Sequence, residues 1–142
     1  MTDFSTISKS DYVILAEFRY ALRQYIQFSK HVVEKAGITM QQHQALLAII
    51  GYPGREKVTI GELAERMQIK HHSAVGLVNR LVEQELVQRT ANQDDKRQVF
   101  ISLTKKGIQV LDSLANLHRD ELRHLAPQLC VLLEQISQLV DK

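Results

Sequence analysis

Residues 86–104 read Leu-Val-Gln-Arg-Thr-Ala-Asn-Gln-Asp-Asp-Lys-Arg-Gln-Val-Phe-Ile-Ser-Leu-Thr, two short β-prone runs around a polar, charged tip. The remainder of the chain patterns as helix, so this stretch is predicted to be a hairpin set among helices. Just before it, Lys70-His71-His72-Ser73-Ala74-Val75-Gly76-Leu77-Val78-Asn79-Arg80-Leu81 gathers Ala74, Leu77, Val78 and Leu81 on one apolar stripe. Ser73, Val75, Gly76, Asn79 and Arg80 lie on or near the opposite face. A glycine away from the caps costs roughly 1 kcal/mol against alanine. Gly76 therefore points to close approach of another surface, either a nucleic-acid edge or a neighbouring helix.

A helix of this kind followed by a basic-tipped hairpin is how a winged helix-turn-helix holds DNA, with the helix in the major groove and the wing on the adjoining backbone and minor groove. Upstream, Thr39-Met40-Gln41-Gln42 and Thr59-Ile60-Gly61-Glu62 both have the capping-box form, and each is predicted to open a helix. From Asp11 to Lys35, Leu15, Phe18, Leu22, Tyr25, Ile26 and Val32 recur at spacings of three and four, the mark of a long helix with one buried face. Thr104 caps another helix through Ile108, Leu111, Leu114, Leu122 and Leu125. Pro127 is predicted to begin a last one striped by Leu129, Leu132, Leu133, Ile136 and Leu139. These terminal helices carry more apolar surface than the small centre can cover, which implies burial against a second copy of the chain.

The predicted class is mainly α, a winged helix-turn-helix with a two-stranded wing and N- and C-terminal dimerisation helices. At 142 residues the chain fits a single domain over 1–142. Segments 11–36 and 108–142 serve as dimerisation helices, and 39–107 as the DNA-binding lobe. Hydrophobic residues at 44% and charged residues at 24% exclude a disordered chain. Neither a membrane-spanning run nor a signal segment is legible, so a cytoplasmic protein is expected. The net charge of +2 decides little, but its placement is informative. Positions 55–107 hold ten Lys and Arg against seven Asp and Glu, whereas the rest holds eight against nine, so the basic excess coincides with the lobe.

Cys130 is the single cysteine, which excludes a disulfide framework and a Cys-rich zinc site. Among Leu129, Val131 and Leu132 it is expected to be a small core residue. His71 and His72 admit contact with DNA, a solvated surface role or a metal. Adjacent helical residues point about 100° apart, which disfavours one ion using both. Enzyme motifs are lacking: there is no G-x-S-x-G, no glycine-rich phosphate loop and no H-E-x-x-H, and Asp94-Asp95 and Asp120-Glu121 read as solvated carboxylates. The expectation is a non-enzyme without cofactor or metal.

Over about residues 11–140 the chain resembles the MarR family of bacterial winged-helix transcription regulators. The resemblance rests on Asp95-Lys96-Arg97 followed by Val99-Phe100-Ile101-Ser102-Leu103-Thr104-Lys105-Lys106-Gly107, similar to the family's D-x-R wing and Leu-Thr-x-x-Gly helix start. It rests also on Gly37-Ile38-Thr39 with Gln42, on Thr59-Ile60-Gly61-Glu62-Leu63-Ala64 and on Leu77-Val78-Asn79-Arg80-Leu81. It implies a homodimer with six helices per subunit. His71, His72, Ser73, Val75, Gly76 and Arg80 fall where relatives meet the major groove, and Lys70 and Asn79 beside them are further DNA-binding candidates. Asp95, Lys96 and Arg97 fall on the wing, where Arg97 reaches the minor groove and Asp95 orients it. Relatives commonly carry Ser or Thr in place of Val75 and a larger side chain in place of Gly76, so the operator cannot be transferred. Glu85 stands where a helix-ending glycine is usual.

The reading that follows is a dimeric, sequence-specific DNA-binding regulator, a repressor on a short palindrome, released by a small aromatic or phenolic molecule. Phe18, Tyr25, His31 and His43 are candidates for that molecule's pocket, with interior or surface roles as the alternative. A redox switch through Cys130 and a helical protein-interaction module without DNA binding are the competing readings.

Overall fold

The computed structural model describes residues 7–139. Its elements in chain order are α1 (Lys9–Lys35), α2 (Met40–Ile50), β1 (Lys57–Thr59), α3 (Ile60–Met67), α4 (His71–Glu83), β2 (Val87–Ala91), β3 (Val99–Leu103) and α5 (Lys105–Leu139). Two compact units share the chain, Val32–Ala115 forming one and the residues before and after it the other. The division falls inside α1 and α5, not at their ends, because Val33, Leu111 and Leu114 belong to the core of the central unit.

The central unit is built on local signals. Thr39 Oγ accepts from the Gln42 amide at 3.1 Å while the Gln42 side chain accepts from the Thr39 amide at 3.0 Å, so α2 opens on a closed capping box. Thr59 and Glu62 do the same for α3 at 3.2 and 2.9 Å. Each box satisfies two helix N–H groups that have no intrahelical acceptor. Leu46 and Ile49 of α2, Leu63 of α3 and Leu77, Val78 and Leu81 of α4 are buried around Val58 and Ile101. Buried side chains of this size contribute roughly 1.5–3 kcal/mol each.

The wing has a third strand that its sequence did not announce. β3 is central, antiparallel to both neighbours in the order β1-β3-β2, with Val58 opposite Ile101 and Arg89 opposite Ile101 on the other side. β1 is only three residues long and its pairing is entirely non-local. The hairpin is tied to the helices on both sides. The amide of Thr104 donates to the Leu86 carbonyl at 3.0 Å, its hydroxyl donates to the Glu85 carbonyl at 2.5 Å, and its Oγ accepts from the Gly107 amide at 3.1 Å.

In the other unit Ala21, Leu125 and Leu132 are buried, with Ile14, Phe18, Tyr25 and Leu129 packed against them. The inward face of α1 therefore runs through Asp11, Ile14, Phe18, Ala21 and Tyr25, whereas Leu15 and Ile26, expected in its stripe, are exposed. Asp11 is buried as half of a cap: its carboxylate accepts from the Ser8 amide and its own amide donates to Ser8 Oγ, both at 3.2 Å. Leu122 and Leu133 of α5 are likewise exposed.

Two further expectations are corrected. No new helix starts at Pro127: α5 runs unbroken through it, so five helices are present among the described residues. Proline's fixed φ is helical and its cost, about 3 kcal/mol, comes from one lost hydrogen bond and a clash one turn back. Leu125, Leu129 and Leu132 keep a single stripe across it, and their burial offsets that cost. Cys130 is exposed, not a core residue, because it follows Leu129 by one residue and so points about 100° away from that stripe.

Candidate nucleic-acid interface

Helix α4 meets the solvent with the face opposite its core stripe. His71, His72, Asn79 and Arg80 are exposed, Val75 is 37% exposed, and Ser73 and Gly76 are half-buried. A Cβ built on Gly76 meets nothing within 4 Å. The neighbouring-helix explanation of this glycine therefore fails within the chain, and the bare backbone faces open space. Lys70 is the N-cap of α4 in extended conformation and makes no side-chain cap hydrogen bond. The positive end of the helix dipole is thus not neutralised by a side chain at that position.

At the wing tip, one carboxylate oxygen of Asp95 accepts from the Arg97 amide at 3.1 Å and from Arg97 Nε at 3.2 Å. The Asp95 side chain is 37% exposed and that of Arg97 is 92% exposed. The acid thus holds the Nε end of a guanidinium that stays almost wholly exposed. Gln98 closes the tip by donating its amide to the Asp95 carbonyl at 3.0 Å, and its carbonyl accepts from the Asn92 amide at 3.1 Å. Lys96 is exposed beside them. A cleft of about 370 Å³ brings Thr59, Ile60 and Gly61 at the start of α3 together with His71 of α4 and Arg97 and Val99 of the wing. The capped N-terminus of one helix, the first residue of the next and the wing arginine share one concavity.

Two sets of contacts escaped the sequence reading. Arg89 of β2 donates through Nη2 to the Asn79 side-chain oxygen, linking wing and α4. Arg55 pairs with Glu62, the capping-box acid of α3, and its guanidinium lies 4.7 Å from the Tyr52 ring centre and 5.4 Å from that of Phe100. Lys57 Nζ sits 4.5 Å over Phe100 and Arg66 5.0 Å over Tyr52. Three cations of the basic lobe are thus anchored on aromatic faces, a distribution that counting charges cannot reveal.

The four pocket candidates fall in different surroundings. Phe18 and Tyr25 are half-buried around Ala21, His31 is exposed on α1, and His43 is buried in α2. The histidine that meets Tyr25 is His118, edge-on at 6.1 Å; it also meets Phe28 at 6.1 Å and shares a 2.7 Å hydrogen bond with Ser29. Burial, and to a lesser extent the Glu121 carboxylate, push the Tyr25 phenol above its ordinary value, so it remains a hydrogen-bond donor at neutral pH. Among the described residues no group of three His, Cys, Asp or Glu is arranged to hold a metal ion, and no helix is long and apolar enough to cross a membrane.

A three-stranded wing braced against an exposed, small-residue helix defines a winged helix-turn-helix fold. Residues 36–98 match the family model described as the MarR family. Over 137 residues the chain is 26% identical to the organic hydroperoxide resistance transcriptional regulator of Bacillus subtilis, spanning 89% of this chain and 88% of that one. Its fold is similar to that of MepR, a transcription regulator of the Staphylococcus aureus multidrug efflux pump MepA, with TM-score 0.75 at 20% identity over 94% of this chain and 99% of that one. It is also similar to a mutant of E. coli MarR complexed with operator DNA, with TM-score 0.69 at 19% identity over 96% and 97% of the two chains.

Proposed function

We propose that the protein is a homodimeric repressor that reads a short palindromic operator, with half-sites about one helical turn apart, and that a small aromatic or phenolic molecule releases it. The observation that carries the DNA-reading part is the wing: Arg97, held by Asp95 and almost fully exposed, stands across one cleft from the start of α4. A planar, weakly hydrated guanidinium suits the electronegative minor groove. His71, His72, Ser73, Val75, Gly76, Asn79 and Arg80 then line the major-groove face, with Lys70 and Lys96 near phosphates. Segments 11–36 and 108–142 act as the dimerisation helices, supported by the large apolar side chains they expose. Phe18 and the protonated Tyr25 support an aromatic effector.

The test is selection of DNA from a random pool by the purified protein, followed by binding of the selected operator at fixed salt. Arg97→Ala is expected to weaken that binding by about 1–3 kcal/mol and leave the dimer intact, since a wing arginine packs no core. Equal affinity of variant and wild type removes the wing from the interface.

A further inference from the structure

The contact between Arg89 and Asn79 bears on sequence reading. A guanidinium has donors and no acceptor, so it can meet Asn79 only at the carboxamide oxygen, as it does. That fixes the orientation of the amide by chemistry. Asn79 lies three residues after Gly76 and four after Val75, on the same exposed face of α4. Its remaining polar group is the NH₂, two donors and no acceptor.

An asparagine that reads adenine uses both ends of the amide, accepting from N6–H and donating to N7. Here the Arg89 guanidinium already sets a full positive charge against one side of that oxygen. A base-edge donor approaching its other lone pair meets that cation, while the same charge polarises the amide and strengthens its N–H groups as donors. We infer that Asn79 reads DNA as a donor only, selecting guanine or thymine over adenine or cytosine at one position of each half-site, and that Arg89 sets this preference. The inference rests on the reading that α4 lies in the major groove.

Selection from a random DNA pool by wild type, His72→Ala, Asn79→Ala and Arg89→Met tests it. All three side chains are exposed, and thermal melting checks that each variant folds. Wild type is expected to enrich guanine or thymine at one position per half-site. Asn79→Ala is expected to lose about tenfold in discrimination at that position. Arg89→Met, which keeps the stem and removes the cation, is expected to admit adenine there. Retention of the wild-type base by Arg89→Met, or adenine or cytosine at that position in wild type, overturns the inference. So does an unchanged preference in Asn79→Ala beside an altered one in His72→Ala, which leaves α4 in the groove. If neither helix variant changes any selected position, the reading of α4 itself falls and takes the inference with it.

Discussion

Glu85 occupies a backbone position that favours glycine. It has φ +61° and follows the C-cap of α4, with the amides of Glu85 and Leu86 donating to the carbonyls of Val82 and Leu81, both at 2.9 Å. This double bond pattern ends a helix through a left-handed residue. The sequence marks Glu85 as standing where a helix-ending glycine is usual; the structure keeps the glycine-type turn and the strain. A side chain in this region costs about 1 kcal/mol, and a carboxylate at the negative end of the helix dipole adds a few tenths. Glu85→Gly is therefore expected to stabilise the protein by about 0.5 kcal/mol net of the entropy glycine adds to the unfolded chain. A urea midpoint equal to or below that of wild type contradicts this account.

Among the elements, those opened by local chemistry were legible. The capping boxes of α2 and α3 and the core stripe of α4 follow from side chains within one or two turns of each other. β1 was not legible, because Val58 is its single buried residue and only pairing with β3, over forty positions away in sequence, makes it a strand. Continuity of α5 through Pro127 was missed because the proline rule competes with an apolar stripe whose burial depends on α1. Arg89 went unassigned because its partner lies on another element. Gly107 shows the hairpin and α5 setting each other's position. A Cβ there stands 2.1 Å from the Leu86 carbonyl oxygen, so the first turn of α5 cannot keep its place against the entry to β2 with any side chain. Gly107→Ala is expected to cost about 3 kcal/mol, at the upper end of overpacking penalties, because relief means moving backbone that also holds the Thr104–Leu86 hydrogen bond. Urea unfolding checks it, and an unaltered midpoint contradicts the close approach.

At the scale of the molecule, the helical periodicity of α1 and α5 identified apolar residues correctly but could not say which of them meet their own chain. Ala21, Leu125 and Leu132 do. Tyr12, Tyr20 and Ile26 of α1 and Leu117, Val131 and Leu133 of α5 remain exposed, Ile26 at 53% and Leu133 at 52%. A monomer seldom leaves so many large apolar side chains to water on two helices of one unit, and a second copy of the chain offers the same surface in return. The proposed dimer is best tested without truncation, since removing the end of α5 also strips Leu132 from the buried set. Leu122→Asp with Leu133→Asp changes exposed positions only, so the subunit is expected to keep its helical content while the dimer weakens by a hundredfold or more, the effect of placing two carboxylates per chain in a desolvated interface. Sedimentation over a range of concentrations reads the outcome. A double variant that remains dimeric at the wild-type concentration moves the interface off this face, whereas one that dissociates while staying folded places it there, and operator binding should then fall too, because a palindrome of two half-sites needs two linked lobes to hold it.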